Sequence, residues 1–326
     1  MPAPSARQLW TESTGNPDHP TLLLIMGANA CSRYWPEAFV QHLVTGGLRV
    51  LRYDHRDTGR SPRYDFATNP YTALDLARDA ASVLDAHGVS AAHVLGMSLG
   101  GTLGQLLALD HRSRLLTLTV TMTAALDVDF VGNLGRALRG EPSPDGLPTP
   151  DPALVRSFAT RAQPATTQEE EILKRLAEWR LLAGSELPFD EPFFRHLEEL
   201  SIAHAGTWQR PFNHALATPV PTARGAELRA VTTPTLVIQA PQDPLNPPPH
   251  GRHLADLIPG ARYAEIPGLG HALSPAALAP LAELVLSMAR GDHGHPSLAK
   301  AAATRTALSG QALGDTMAEL RRERHR

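Results

Sequence analysis

A series of short, largely apolar runs constrains this chain more than any other feature. They are Thr21–Met26 (TLLLIM), Leu48–Tyr53 (LRVLRY), His93–Gly96 (HVLG), Leu115–Met122 (LLTLTVTM), Thr235–Ala240 (TLVIQA) and Ala261–Ile266 (ARYAEI). Most are apolar on both faces, as strands are when helices cover a sheet on both sides. Helix-like stretches at 35–45, 72–87, 99–110, 250–258 and 275–290 separate them. The alternation predicts an α/β fold with a mostly parallel central sheet.

The alternation stops between about Ala124 and Arg229. Helices are expected there at 152–161, 168–182 and 193–205, joined by Pro-rich connectors such as EPSPDGLPTPDP. A helical insertion between two strands of one sheet is the economical reading. It divides the chain into a core domain (1–123 and 230–290), a helical cap (124–229) and a tail (291–326), helical or disordered, that is rich in Ala, Arg and Thr. The insertion carries Phe130, Phe158, Trp179, Phe189, Phe193, Phe194, Trp208 and Phe212. Most of these aromatics are expected to pack it onto the core.

Charge and cysteine content remove several functional classes. Lys+Arg number 30 and Asp+Glu 33, for a net charge of −3. That balance offers no footprint for nucleic acid and no basic stripe for a membrane surface. Cys31 is the single cysteine, so no internal disulfide is possible. The N-terminal MPAPSARQLW lacks the basic start and apolar run of a signal peptide. No apolar run approaches the roughly 20 residues that span a bilayer. The expectation is a cytoplasmic protein whose oligomeric state the sequence leaves open. His293 and His295 lack the further ligands a metal site needs, and no cofactor motif is present.

One serine stands between two glycines where the run 93–96 gives way to a helix: Gly96-Met97-Ser98-Leu99-Gly100. A sharp strand-to-helix turn forces such a serine into a strained conformation and exposes its hydroxyl. Strand and helix backbones crowd the flanking positions, which must be small. The residue after the serine then offers an N–H at a helix N-terminus, where positive partial charge collects.

A serine hydroxyl needs a base, and the base an orienting carboxylate. Among 15 histidines, position decides. His271 follows the last apolar run within Pro-Gly-Leu-Gly-His-Ala, a loop able to carry an imidazole over the sheet edge. His55 sits in the turn DHRDTGRS, and His111 ends the helix that Ser98 begins. Asp243 follows the run 235–240 at the same sheet edge and gives the order Ser, Asp, His. Asp127 and Asp129 are the rival acids, with helix capping as their other role. Oxyanion donors are expected from the Leu99 amide and from the loop after the first run, with Ala28 first and Gly27 second.

The order of these parts resembles the α/β-hydrolase superfamily over Gln8–Arg290. A narrower likeness lies in RYDHRDTGRS (52–61), ALDH (108–111), LDVDF (126–130), GEPSPDGLP (140–148), VIQAPQDP (237–244) and EIPGLGHAL (265–273). These stretches are similar to the anthracycline methylesterases of the aclacinomycin methylesterase type, which hydrolyse a methyl ester on a glycosylated aromatic polyketide. The resemblance implies a triad of Ser98, Asp243 and His271, oxyanion donors at Ala28 and Leu99, a small-molecule apolar ester carried on a bulky aromatic polyketide as substrate, and no cofactor or metal. Ala28 departs from the glycine of that family, and Met97 precedes the serine where the family has Met after it. Lactone or C–C hydrolysis, perhydrolysis, and ligand binding without turnover are the other activities this scaffold supports.

Overall fold

The computed structural model describes residues 9–160 and 164–292 and gathers the apolar runs into one sheet. In chain order the elements are β1 (Thr11–Thr14), β2 (Thr21–Ile25), α1 (Glu37–Thr45), β3 (Arg49–Tyr53), α2 (Ala73–Ala86), β4 (Ala92–Met97), α3 (Leu99–Asp110) and β5 (Leu115–Thr121). There follow α4 (Phe130–Arg139), α5 (Pro152–Thr160), α6 (Gln168–Leu182), α7 (Glu191–Ala205), β6 (Thr235–Gln239), α8 (His250–Leu257), β7 (Arg262–Glu265) and α9 (Pro275–Ala289). The seven strands lie in the order β1-β3-β2-β4-β5-β6-β7. β1 runs antiparallel to β3, and the other pairs are parallel.

Strand pleating explains why the runs are apolar throughout. Along β2, Leu23 and Ile25 face a layer that includes Leu76 and Leu84 of α2, Leu103 and Leu107 of α3, and Leu254 of α8. Leu22 and Leu24 face the opposite layer, with Phe39 and Leu43 of α1 and Leu281 and Val285 of α9. Alternate side chains point to opposite faces, and here both faces are buried. Every parallel strand therefore ends at the same rim, where ligand sites of open α/β sheets form.

Between β5 and β6 the described residues are helical or irregular. α6 is capped by Thr167, whose side chain accepts from the Glu170 N–H, and three glutamates occupy its first turn. Negative charge there complements the helix dipole. α7 is capped by Asp190, whose carboxylate accepts from the Phe193 N–H. These helices bury a cluster that includes Leu154, Ile172, Leu176, Phe194, Leu197 and Ile202 together with Ala272 of the core.

Two elements differ from expectation. β1 (TEST) is polar because it pairs on one side only and is half exposed. α4 contains two glycines, which mask its periodicity. The insertion's aromatics pack both on one another and on the core: Phe194 stacks on Trp179 (5.2 Å) and Phe189 (4.9 Å), and their cluster includes Ala272 after the last strand, while Trp208 and Phe212 are exposed. Tyr34, 5.8 Å from Trp179, and Phe193 link that cluster to the sheet.

Under this cluster lies a buried ionic network. Glu198, 1% exposed, accepts from Tyr34 Oη (2.7 Å), Arg175 Nη1 (2.9 Å) and Trp179 Nε1 (2.6 Å). Arg175 also donates to Glu171 Oε1 (2.7 Å), which Arg210 contacts in turn. Both glutamate and arginine are thus fully paired, the condition under which buried charge is tolerated.

Candidate active site

Ser98 joins β4 to α3 with φ 55° and ψ −121°, a conformation that costs on the order of 1–3 kcal/mol and persists only under strong constraint. The constraint is visible. The Ser98 N–H donates to the Thr121 carbonyl (3.0 Å), and the Ser98 carbonyl accepts from Gly101 (2.8 Å) and Thr102 (3.1 Å). A Cβ at position 96 would lie 2.1 Å from the Gly100 carbonyl oxygen, and one at position 100 would lie 2.0 Å from that of Ile25. Only glycine fits either place, which accounts for the flanks of the serine.

His271 lies on the loop after β7, and Asp243 on the loop after β6. His271 Nε2 is 3.1 Å from Ser98 Oγ, and Nδ1 is 2.9 Å from both carboxylate oxygens of Asp243. With Nδ1–H donating to the carboxylate, Nε2 is left to accept the serine proton. Asp243 Oδ1 also accepts from the amides of Leu245 (2.8 Å) and Asn246 (2.9 Å), which fix the carboxylate. Asp243 is 2% and His271 6% exposed. This water-poor setting strengthens each contact.

The other candidates are occupied elsewhere. Asp129 caps α4 by accepting from the Gly132 N–H and pairs with Arg136. Asp127 accepts from His253 Nε2 (2.9 Å). His111 ends α3, a helix length of about 18 Å from the serine. His55 is buried and donates from Nε2 to the Met26 carbonyl (2.9 Å).

Leu99 is the first residue of α3, where an N–H has no carbonyl within the helix to accept it. The loop Gly27–Ala28 abuts the serine: a Cβ at position 27 would lie 3.3 Å from Ser98 Cβ and 3.8 Å from Oγ. Among the described residues, neither the Ala28 nor the Leu99 N–H donates to a backbone acceptor. Two open amides and a hydroxyl paired to an imidazole thus share one rim of the sheet.

Three contacts here carry no sequence signal. The His271 N–H donates to the Leu182 carbonyl (2.6 Å), which ties the insertion to the histidine loop. Asn246 Nδ2 donates to the Met122 carbonyl (3.1 Å) and joins the Asp243 loop to the end of β5. His214, after α7, accepts the Asn29 N–H at Nδ1 (2.8 Å). Each pairs a backbone group with a residue remote in sequence, so no local motif announces it.

Among the described residues, no group of three or more His, Cys, Asp or Glu could hold a metal ion. No helix of those residues is long and apolar enough to cross a membrane. His293, His295 and all but the first two residues of the tail lie outside the described residues.

Comparison with known proteins agrees with this geometry. Residues 20–275 match the alpha/beta hydrolase fold family. The chain is 54% identical over 282 residues to rhodomycin D methylesterase DauP of Streptomyces sp. strain C5, covering 86% of this chain and 95% of that one. It is 53% identical to rhodomycin D methylesterase DnrP of Streptomyces peucetius, with the same coverage. Among solved structures, a hydrolase from Pseudomonas aeruginosa superposes with a TM-score of 0.61 at 26% identity, covering 88% of this chain and 94% of its own. An esterase from Exiguobacterium antarcticum shares the fold, with a TM-score of 0.64 at 20% identity over 86% of this chain and 95% of its own. The strand order, the serine turn and these relatives together establish that the chain belongs to the α/β hydrolase family and, within it, to the family of these methylesterases.

Proposed function

We propose that this carboxylic ester hydrolase removes methanol from a methyl ester on an anthracycline-type aromatic polyketide, through an acyl-enzyme on Ser98. The observation that carries the reading is the unbroken line Asp243–His271–Ser98, at 2.9 and 3.1 Å, beside two open amides. The methyl ester and its polyketide carrier rest on the substrate named for the relatives at 54% and 53% identity. The insertion at 124–229 is proposed as the cap that shapes the substrate pocket over the core.

The geometry supports the following steps. Ser98 Oγ attacks the ester carbonyl carbon as its proton passes to His271 Nε2. Asp243 holds the ring and offsets the imidazolium charge. The carbonyl electrons move onto oxygen, which the Ala28 and Leu99 amides stabilise; one such donor is worth ~2.7–4 kcal/mol. The tetrahedral adduct collapses, the C–OCH3 bond breaks, and His271 protonates the departing methoxide. Water, deprotonated by His271, then attacks the acyl-serine, and the proton returns to Ser98 Oγ as the free acid leaves.

The test is a fluorophosphonate label mapped by mass spectrometry, together with methanol release from an anthracycline methyl ester. Labelling at Ser98 that is lost in Ser98→Ala, with turnover lost alongside, supports the reading. Labelling or methanol release that survives in Ser98→Ala overturns it. Turnover of p-nitrophenyl acetate without methanol from the anthracycline ester would retain the esterase and remove the polyketide substrate.

A further inference from the structure

The loop that offers the Ala28 amide is gripped by two buried histidines. His55 Nε2 donates to the Met26 carbonyl (2.9 Å), which holds the peptide before Gly27. His214 Nδ1 accepts the Asn29 N–H (2.8 Å), which holds the peptide after Ala28. The peptide carrying the Ala28 N–H lies between those two held planes, so any turn of it must be absorbed by the dihedrals of Gly27 and Ala28 alone. Asn29 adds a return contact: its Oδ1 accepts from the His214 N–H (3.3 Å). Asn29 itself has φ 58°, so the loop bends back at this residue.

The imidazoles support one another. The His214 Nε2–H donates to the Arg56 carbonyl (2.9 Å), and its ring meets His55 edge to face at 5.4 Å. Because Nδ1 accepts an amide proton, His214 must be neutral and carry its hydrogen on Nε2. Burial, aided by His55 and opposed by the bond to the Arg56 carbonyl, pushes the His214 pKa down to about 3, so this form persists near neutrality. His214 comes from the short helical turn Asn213–Ala215 near the end of the insertion, whereas His55 comes from the turn after β3.

Resting on the serine esterase reading above, we infer that His214, backed by His55, is a positioning residue that sets the direction of the Ala28 amide for the oxyanion. The segment leaving the insertion therefore completes the electrophilic half of the site. The Ala28 amide that this contact orients meets the charge that develops in the transition state, so loss of the contact acts there and leaves ground-state binding of the ester largely alone.

Two replacements of His214 separate its two bonds. In His214→Asn the side-chain oxygen stands near the place of Nδ1 and can still accept from Asn29. In His214→Gln the amide reaches toward Arg56 and leaves the Asn29 N–H without its acceptor. The readouts are kcat and KM on p-nitrophenyl acetate with the full chain, and inhibition by a phenyl trifluoromethyl ketone and its matching secondary alcohol. The ketone forms an oxyanion on Ser98; the alcohol cannot.

The expected result is a kcat loss of about 10- to 100-fold in His214→Gln with KM within about threefold, and near-normal kcat in His214→Asn. Ketone affinity falls in step with kcat, and alcohol affinity does not move. If both inhibitors weaken equally, or His214→Gln retains full kcat, the inference is overturned. Should neither histidine variant fold, Asn29→Gly, which removes the return contact and frees the bend, is expected to lower kcat and ketone affinity together; no change would overturn the inference. Ser98→Ala run beside them keeps the two readings apart: turnover surviving there removes the serine mechanism itself, whereas an inactive Ser98→Ala beside an unaffected His214→Gln removes only the positioning role.

Discussion

The main-chain N–H of His271 donates to the carbonyl of Leu182 at 2.6 Å, so the last residue of α6 holds the loop that presents the imidazole. The approach is close. A Cβ at position 270 would lie 2.4 Å from the carbonyl oxygens of Leu182 and Ala183. The segment after α6 also reaches the Asp243 loop, where Gln242 Nε2 donates to Glu186 Oε1 (2.7 Å).

Gly270→Ala should therefore separate the two segments. Overpacking of this kind costs about 1–3 kcal/mol. Urea denaturation should report that loss, and kcat should drop because His271 shifts from the serine. A variant with full kcat and full stability would mean the segments slide apart at no cost.

In the proposed mechanism, Asp243→Asn removes the charge that offsets the imidazolium and can present N–H to Nδ1, which favours the wrong tautomer. A loss in kcat of about 10⁴-fold is expected, as for serine proteases treated the same way. Stopped-flow acylation with p-nitrophenyl acetate reads it directly, and KM should change far less.

Stability should fall with acid in a window set by buried histidines. The folded pKa of His214 is lowered to about 3 from 6.5, with burial the leading cause, and burial lowers that of His55 as well. The unfolded chain thus takes up the proton first. The contribution of His214 is complete above about pH 6.5 and is lost progressively toward pH 3, at about 1.4 kcal/mol per pH unit, and His55 adds a loss of the same sign below its unfolded pKa. Unfolding free energies at pH 7, 6 and 5, above the range of ordinary carboxylates, should show the slope. His214→Asn should flatten it by one proton's worth.

Glu198→Ala would leave Arg175 charged and buried with a partner missing, together with the Trp179 and Tyr34 donors. Breaking a buried pair on one side costs about 3–5 kcal/mol. Thermal unfolding followed by tryptophan fluorescence should detect it, since Trp179 donates to this carboxylate.

Much of the sheet is legible from the chain because β2, β4, β5 and β6 are buried on both faces and so read as unbroken apolar runs. β1 escapes because TEST pairs with β3 alone and keeps polar side chains. α4 escapes because Gly132 and Gly135 interrupt an otherwise amphipathic stretch. Ser98 announces itself through its glycines, whose crowding is a local matter. Asp243 and His271 follow from their places after successive strands of a parallel sheet. His214 and Leu182 could not be read this way: both act on partners about 90 or more residues distant through single backbone contacts, and neither carries a distinctive neighbourhood.

The register Thr119↔Leu236 places two adjacent strands on either side of the whole insertion. On the mechanism proposed above, a ribosome releases the Ser98 turn long before it releases Asp243 and His271, which would activate it. The sheet cannot accept its sixth strand until some hundred intervening residues have emerged, and such non-local pairing forms slowly. A half-made chain consequently carries an inert hydroxyl. Hydrolytic competence arrives late, as a property of finished molecules alone.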